Sequence, residues 1–301
     1  MRLGYACINL TLGEENIKVN RSMMKRTFLS KGPAYASELA LANVSDMEKV
    51  IDWNIKHDIK LYRMSSDMFP WMSEYEIPDL PHFEEIKEIL ARCGRKVADN
   101  DHRLTYHPGP FNVLASNNAK VLANTEKELR QHGEIMDLLE QPLSAFSKIN
   151  IHVGGAYGDK LAAMDRFAEA YVQLPDTARK RLTIENDDRA NLYSVKDLLW
   201  LHDQIKIPIV FDYFHHLFCT GGWDENEALV AALSTWPEDI TPIVHFSSAR
   251  QKYEDEAASV TAHADYLYEL VNFYGSDLDI VLEAKAKEKA LIKFKEEFPI
   301  K

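Results

Sequence analysis

Short apolar runs alternate with longer stretches of helical spacing along the whole chain. Arg2 to Asn9 (RLGYACIN) reads as a first strand, Lys60 to Met64 as a second and Arg103 to Tyr106 as a third. Lys148 to Ile151, Leu182 to Ile184, Ile209 to Phe211, Pro242 to Val244 and Asp279 to Leu282 follow. Most are rich in Val, Ile and Leu, as strands buried on both faces should be. Several of the intervening segments carry apolar residues three and four apart, the spacing of an amphipathic helix. From Asp46 to Lys56 these are Met47, Val50, Ile51 and Ile55, with Ser45 in the N-cap position. A second helix is expected over His82 to Cys93, with Gly94 as its stop signal. Others are expected over Thr125 to Leu139, Leu161 to Val172, Asn226 to Leu233, Ala262 to Phe273 and Lys287 to Phe294. One more opens at Ser194, where Asp197 completes a variant capping box. Thr11 to Ala42 reads as a long polar connection rich in Lys and Arg.

Strands alternating with helices, without long structureless linkers, predict one parallel α/β domain. Eight such units favour a closed barrel over an open sheet, and 301 residues suit a (β/α)8 barrel of TIM type, which typically takes ~250 or more. The expectation is a single domain over residues 1–301.

The strands end in an unusual way. Leu182 to Ile184 runs into Glu185, Ile209 to Phe211 into Asp212 and His215, Val244 into His245 and Leu282 into Glu283. The third strand ends at His107 and the fourth at His152. In such a barrel the C-terminal strand ends share one mouth. That mouth would collect His107, His152, Glu185, Asp212, His215, His245 and Glu283, with His263 joining from the start of the next helix. Imidazoles mixed with carboxylates suit Zn²⁺ or Mn²⁺ better than an oxygen-only cage for Ca²⁺ or Mg²⁺. Seven or eight ligands exceed the needs of one ion, and a bridging carboxylate at Glu185 would hold two ions ~3.5–4 Å apart. A lone strand-end histidine is more often a satisfied hydrogen-bonding residue. Recurrence at successive strand ends is what argues for a metal. His57, His82, His102, His132, His202 and His216 read as structural or surface residues.

Composition narrows the field. Apolar residues make up 46%, enough for a sizeable core. No apolar run approaches the ~18 residues of a membrane span and no signal pattern opens the chain, so a soluble, intracellular protein is expected. Cys7, Cys93 and Cys219 match no metal motif or disulfide framework, in keeping with a reducing cytosol. There is no Gly-x-Ser-x-Gly elbow and no P-loop. The glycines of HVGGAYG (152–158) fit either a phosphate-cradling loop or a turn beside a ligand. A net charge of −12 gives no support to a nucleic-acid partner by itself, although divalent cations on inward-facing carboxylates would offset part of it.

GYACINLTLG near the start, YHPG at 106–109, HVGGAYGDK at 152–160, IENDD at 184–188, VFDYFHH at 210–216, VHFSS at 244–248 and LEAKAKE at 282–288 span nearly the whole chain. Together they resemble the UV damage endonucleases, a family related in fold to the endonuclease IV type of abasic-site nuclease. The resemblance implies a TIM-like barrel with up to three divalent ions, commonly Mn²⁺, with Zn²⁺, Co²⁺ or Mg²⁺ as alternatives. It implies incision of double-stranded DNA immediately 5′ to pyrimidine dimers and 6-4 photoproducts, and also at abasic sites, leaving 3′-hydroxyl and 5′-phosphate ends. On the family pattern His107, His152, Glu185, Asp212, His215, His245 and Glu283 fall at ligand positions, with His263 a looser match. Glu185, Asp212, His245 and Glu283 would carry the chemistry. Tyr5 and Asn9 fall at positions that contact the damaged bases. Two departures stand out. A Gln-Tyr pair common after His-Pro-Gly is here Pro110-Phe111, leaving Phe111 as an apolar wedge. The position of a lysine that is modified in some members is Ile243, so that modification cannot occur.

Lys160, Arg189, Arg250, Lys252, Lys285 and Lys287 lie in loops after the strands and are the candidates to hold backbone phosphates. A monomer acting near the nucleoid is expected. Two other classes remain open: a metal-dependent sugar isomerase on the same kind of barrel, and a non-catalytic DNA-damage-binding barrel. An isomerase needs a closed sugar pocket without an aromatic wedge, and a binding barrel would tolerate loss of ligands.

Overall fold

The computed structural model describes residues 1–298. Its strands are β1 (Leu3–Cys7), β2 (Leu61–Met64), β3 (Arg103–Thr105), β4 (Ile149–Ile151), β5 (Leu182–Glu185), β6 (Ile209–Val210), β7 (Ile243–Phe246) and β8 (Asp279–Leu282). They form two parallel sheets, in the orders β3-β2-β1-β8-β7 and β4-β5-β6. Two bridges join these sheets, Tyr106 to Ile149 and Asp212 to His245. At the first seam the Tyr106 amide donates to the Lys148 carbonyl (2.8 Å), and at the second the His245 amide donates to the Phe211 carbonyl (2.9 Å). With both seams the ring closes, and the fold is an α/β barrel of TIM type.

Successive side chains of a strand point to opposite faces, which separates two cores. Ala6, Leu61, Val210, Ile243 and Val281 meet in a small inner cluster. Their neighbours Tyr5, Tyr62, Ile209, Val244 and Ile280 join the large outer cluster between strands and helices. The inner cluster is small because charged and polar side chains occupy much of the barrel interior. Arg103, Thr105, Lys148, Asn150 and Thr183 are all buried.

The helices depart from the sequence reading in four places. The connection expected to be irregular over Thr11 to Ala42 contains a short helix, Leu10–Glu14, and the first half of a long one, Lys25–Lys56. The buried face of the long helix includes Phe28, Ala36, Ala40, Val44, Met47 and Ile51. Its first half is marked mainly by alanines, too small to stand out as an apolar stripe in a polar sequence. The helix kinks at Gly32 (φ 66°), just before Pro33. Ser45 is therefore no N-cap; it lies mid-helix and its hydroxyl donates to the Leu41 carbonyl (2.8 Å). Gly94 does not stop its helix, Phe83–Asp99. A Cβ there would lie 1.9 Å from the Leu139 carbonyl oxygen, so this glycine permits close approach of the neighbouring segment.

The fourth departure shapes the site. No helix forms over 262–273. The amides that a helix would use are taken elsewhere: Asp265 and Tyr266 donate to the Glu254 carboxylate (2.7 and 3.1 Å), Ala264 to the Ser248 carbonyl and Tyr268 to the Ser248 hydroxyl. Leu267 and Val271 are buried, and their helix-like spacing belongs to a folded loop. That loop, not a helix start, carries His263 to the rim. The Ser194–Asp197 capping box forms as expected and opens the helix Val195–Ile205. No helix among the described residues is long and apolar enough to cross a membrane.

Candidate metal centre

Glu185 closes β5 and is buried, with a different neighbour on every side. His107 Nε2 and His245 Nδ1 each lie 3.1 Å from its Oε2, and His152 Nε2 lies 4.0 Å away. His215 Nδ1 lies 3.3 Å from Oε1. The Asn150 side-chain Nδ2 donates to Oε2 from below, and the same side chain's Oδ1 in turn accepts from Thr183 Oγ1 (2.8 Å). Both carboxylate oxygens are thus engaged, as a bridging ligand requires.

The imidazoles are oriented by the backbone. Nδ1 of His107 donates to the Pro108 carbonyl (3.1 Å), that of His215 to the Asn186 carbonyl (2.9 Å) and that of His263 to the Glu283 carbonyl (2.9 Å). In neutral rings this fixes the tautomer and leaves Nε2 as a lone pair. His107 Nε2 then faces a carboxylate oxygen at 3.1 Å with no hydrogen between them. Two acceptors held that close call for a cation. His152 places Nδ1 3.1 Å from Asp187, whose other oxygen accepts from the Tyr193 amide (3.2 Å). His245 is turned the other way. Its Nδ1 faces Glu185 and Glu283 (3.1 and 3.2 Å), and its Nε2 lies 3.1 Å from Lys148 Nζ.

The electrostatics carry the same signature. Burial alone would raise Glu185, but the imidazoles around it, His245 and His152 foremost, hold its carboxyl well below the usual range. Burial pushes Asp212 up to about 7, helped by Glu185 and Glu283. Burial would lower His215, yet Asp212 and Glu185 raise it to about 11. His152, opposed by burial and supported by Glu185 and Asp187, rises to about 9. Burial lowers His245 to about 4 and Lys148 to about 7.

Two donor sets emerge, His107–His152–Glu185 and Glu185–Asp212–His245, each with its donor atoms within 4.8 Å of one another. They share Glu185. Buried atoms within them lack hydrogen-bond partners, namely His152 Nδ1, Asp212 Oδ2 and His245 Nδ1. Buried polar atoms are rarely left so. The donor types, the shared carboxylate and the orphaned atoms fit a pair of divalent cations. His215, His263 and Glu283 border these sets without completing a third. Glu283 is instead paired with the Arg63 guanidinium.

The remaining expected residues scatter. Phe111 stands exposed by 87% at the rim, so it packs in no core. Tyr5 is fully buried, so in this structure it is not placed to contact damaged bases as the family pattern implied. Ala6 points into the barrel, so Tyr5 points out toward the helices, where its hydroxyl donates to Asn54 (2.9 Å). Asn9 is buried too, and its side chain caps the helix Leu10–Glu14 through the Leu12 amide (2.9 Å). Lys160, Arg250 and Lys252 face Asp197, Asp265 and Glu269 (3.2, 3.8 and 2.6 Å). Arg189 is exposed beside Asp188, Lys285 is exposed, and Lys287 is half-buried. A Cβ on Gly154 (φ 101°) would lie 2.3 Å from Val113 Cγ1, so this glycine permits the close approach of the Phe111 loop beside His152.

Arg63, Lys148, Asn150 and Asp187 escaped the sequence reading. Lys148 and Asn150 precede His152 by four and two residues, on the same face of β4 by strand alternation. Arg63 sits near the end of β2, where the rule used for the ligands would have found it had cations been sought.

A TIM-type barrel with a shared-carboxylate cluster of His, Asp and Glu at its mouth defines a candidate metallohydrolase or isomerase. The family model for UV-endonuclease UvdE matches residues 1–300, and the chain belongs to that family. A UV-damage endonuclease of Acanthamoeba polyphaga mimivirus, itself described as putative, is 32% identical over 97% of this chain and 90% of its own length. The crystal structure of SacUVDE superposes with a TM-score of 0.84 at 29% identity, covering 100% of both chains. Endonuclease IV from Thermus thermophilus (TM-score 0.56, 12% identity, 98% of both chains) and a D-tagatose 3-epimerase-like protein (0.60, 15%, 99% and 96%) share the fold.

Proposed function

We propose that this protein is a metal-dependent DNA repair endonuclease, one barrel domain over residues 1–301, that incises duplex DNA 5′ to UV photoproducts. Pyrimidine dimers and 6-4 photoproducts are the proposed substrates, with abasic sites as a further one. The observation that carries the reading is the pair of donor sets sharing Glu185 in a chain of this family. Divalent ions held there, most simply Mn²⁺, would supply a hydroxide near neutral pH and neutralise charge on the scissile phosphate. Glu185 would be shared by the two ions, with His107 and His152 to hold one and Asp212 and His245 to hold the other. A third ion near His215, with His263 beside it, would help neutralise the leaving 3′-oxygen, provided Glu283 were released from Arg63. Asn150 keeps the Glu185 carboxylate from turning. Asp187 orients His152.

Phe111 would enter the duplex where the lesion leaves it, a role its exposure at the rim supports. A dimer stacks and pairs poorly, so turning it out costs less than turning out normal bases. Lys285 and Arg189 are exposed near the mouth to meet backbone phosphates. The protein would act as a monomer inside the cell. An exposed aromatic at an open rim disfavours the sugar-isomerase reading, and a complete ligand set disfavours a binding-only barrel. The test is an end-labelled duplex carrying a single cyclobutane dimer. Nicking 5′ to the dimer that stops with chelator and returns with Mn²⁺ is expected. Intact substrate at all metal concentrations would contradict the reading.

A further inference from the structure

Residues 16–37 contain no Asp or Glu, although the chain as a whole carries −12. They contain Lys18, Arg21, Lys25, Arg26 and Lys31. Among the described residues only Arg21 of these has a carboxylate partner, Asp46 at 2.6 Å. Lys25, Arg26 and Lys31 are exposed. The rim cations Lys160, Arg250 and Lys252 differ, since acidic neighbours offset each of them. Lys25 and Arg26 also open a helix whose first turn holds no acidic residue. The helix dipole disfavours cations at that end. Helix stability therefore does not explain their presence.

The segment follows β1 and so leaves the barrel at the mouth. Ser22 lines the same cleft as Trp71, Gly109, Phe111 and Asn112. Gly109 and Asn112 also line the cleft that contains His152 and His215. One surface thus runs from the ligands, across the Phe111 loop, to the basic segment. The segment is anchored there: Trp71 Nε1 donates to the Met23 carbonyl (2.9 Å) and the Trp71 ring stacks on Phe28 with centroids 5.9 Å apart.

We propose that residues 16–37 form a phosphate-binding arm for duplex DNA, with Lys25, Arg26 and Lys31 holding the backbone on the side of Phe111 away from the metal centre. The arm rests on the reading of the protein as a DNA nuclease. A duplex wedged open at Phe111 needs positive charge on both flanks of the wedge. The metal centre supplies it on one flank only. Exposed cations without a carboxylate partner release condensed counterions when they meet phosphates, which gives binding a measurable salt slope.

The experiment compares the full-length protein with K25Q/R26Q/K31Q, the single variant R26Q, and a control, K56Q/K87Q/R95Q, whose three cations are exposed on other helical surfaces. Binding to an undamaged duplex is followed by fluorescence anisotropy between 50 and 200 mM salt. Removing one phosphate-binding cation lowers the slope of log K against log salt by about 0.9, so the arm triple should lose about 2.7 and R26Q about 0.9. Across that fourfold salt range the triple's affinity should then vary about 40-fold less than that of the wild type. The control should keep the wild-type slope. Circular dichroism confirms the fold of each variant, and R26Q carries the test if the triple does not fold. An unchanged slope in R26Q and the arm triple, or an equal loss in the control, would overturn the arm. Incision of the dimer duplex by wild type is scored separately. Its failure with an arm-dependent slope would sink the nuclease reading and leave the arm standing as a DNA-binding surface.

Discussion

Arg103 and Arg63 each put a guanidinium inside the barrel, at opposite ends. Arg103 begins β3 at the closed end, where its Nε donates to the Phe146 carbonyl (2.6 Å), Nη1 to Thr241 and Asp279 (2.6 and 3.0 Å) and Nη2 to Ala145 (3.2 Å). Asp279 receives Arg2 as well, through its amide (2.6 Å) and its guanidinium (3.1 Å). The Phe146 ring lies under the Arg103 guanidinium at 4.6 Å. Among the described residues Arg63, at the mouth, hydrogen-bonds only to Glu283, and its buried Nε has no partner. Asp212 Oδ2 and His245 Nδ1 are orphaned beside it. Both ends contain buried charge, and what separates them is how fully the charged groups themselves are hydrogen-bonded. A buried ion pair with its remaining donors placed holds a structure together. Buried donors and acceptors that point at one another without hydrogen bonds are arranged for something that arrives from outside.

The largest effect that tests this difference is at the mouth. Glu185→Gln should lower dimer incision by on the order of a thousandfold or more, because the ligand shared by both donor sets is lost. Its melting temperature should stay near wild type. Normal nicking by this variant would break the comparison from the functional side. Arg103→Met should do the reverse. It leaves Asp279 buried with only Arg2, and breaking such a pair costs about 3–5 kcal/mol of stability. Chemical denaturation measures that loss, while incision per folded molecule should be unchanged. A loss of activity beyond the unfolded fraction would show that the closed end also serves the site.

Phe111→Ala sharpens the contrast at the rim. Base-on-aromatic stacking is worth roughly 1–3 kcal/mol per base, so dimer incision should fall about 10- to 100-fold at limiting substrate. At 87% exposure the side chain contributes little to the core, and thermal unfolding should barely move. Phe111→Tyr should be nearly neutral, since the contribution is apolar and shape-based. Equal losses in stability and activity would point to packing instead.

The smallest expected effect concerns pH. Asp212 titrates near 7 in the folded protein, above its ordinary value, so its contribution to stability is full below about 4 and lost as pH rises through 7. His215, raised to about 11, keeps its contribution below about 6.5 and loses it progressively above. Both weaken chelator-treated protein between pH 6 and 8. Divalent cations bind the deprotonated ligands. The rise in melting temperature produced by Mn²⁺ should therefore grow from pH 6 to pH 8. A rise that shrinks over that interval would show that these groups do not face the ion.

The His and carboxylate cluster was legible in the sequence because strand ends of a barrel converge and because His and carboxylates interrupt β-branched runs. Position alone brought His107, His152, Glu185, Asp212 and His245 together. The layer beneath was not legible by that rule. Lys148 and Asn150 sit inside the barrel only because β4 alternates, and a lysine at the start of a strand reads as an edge residue. Tyr5 shows the same limit from the other side, since one residue of register decides between mouth and helix layer. The loop at 262–273 imitates a helix in spacing, and only the pull of Glu254 and Ser248 on its amides explains its course. The alanine face of the long helix is silent for the opposite reason, its side chains being too small to mark a stripe.

The central claim is that the unsatisfied donors at the mouth are ligands. Equilibrium dialysis against Mn²⁺ followed by elemental analysis, on the wild type and on Glu185→Gln, counts the ions held per folded chain. The wild type should hold at least two, one for each donor set, and Glu185→Gln should hold fewer. A wild-type protein that binds less than one ion at saturating Mn²⁺, or a Glu185→Gln variant that binds as many as wild type, would contradict the account.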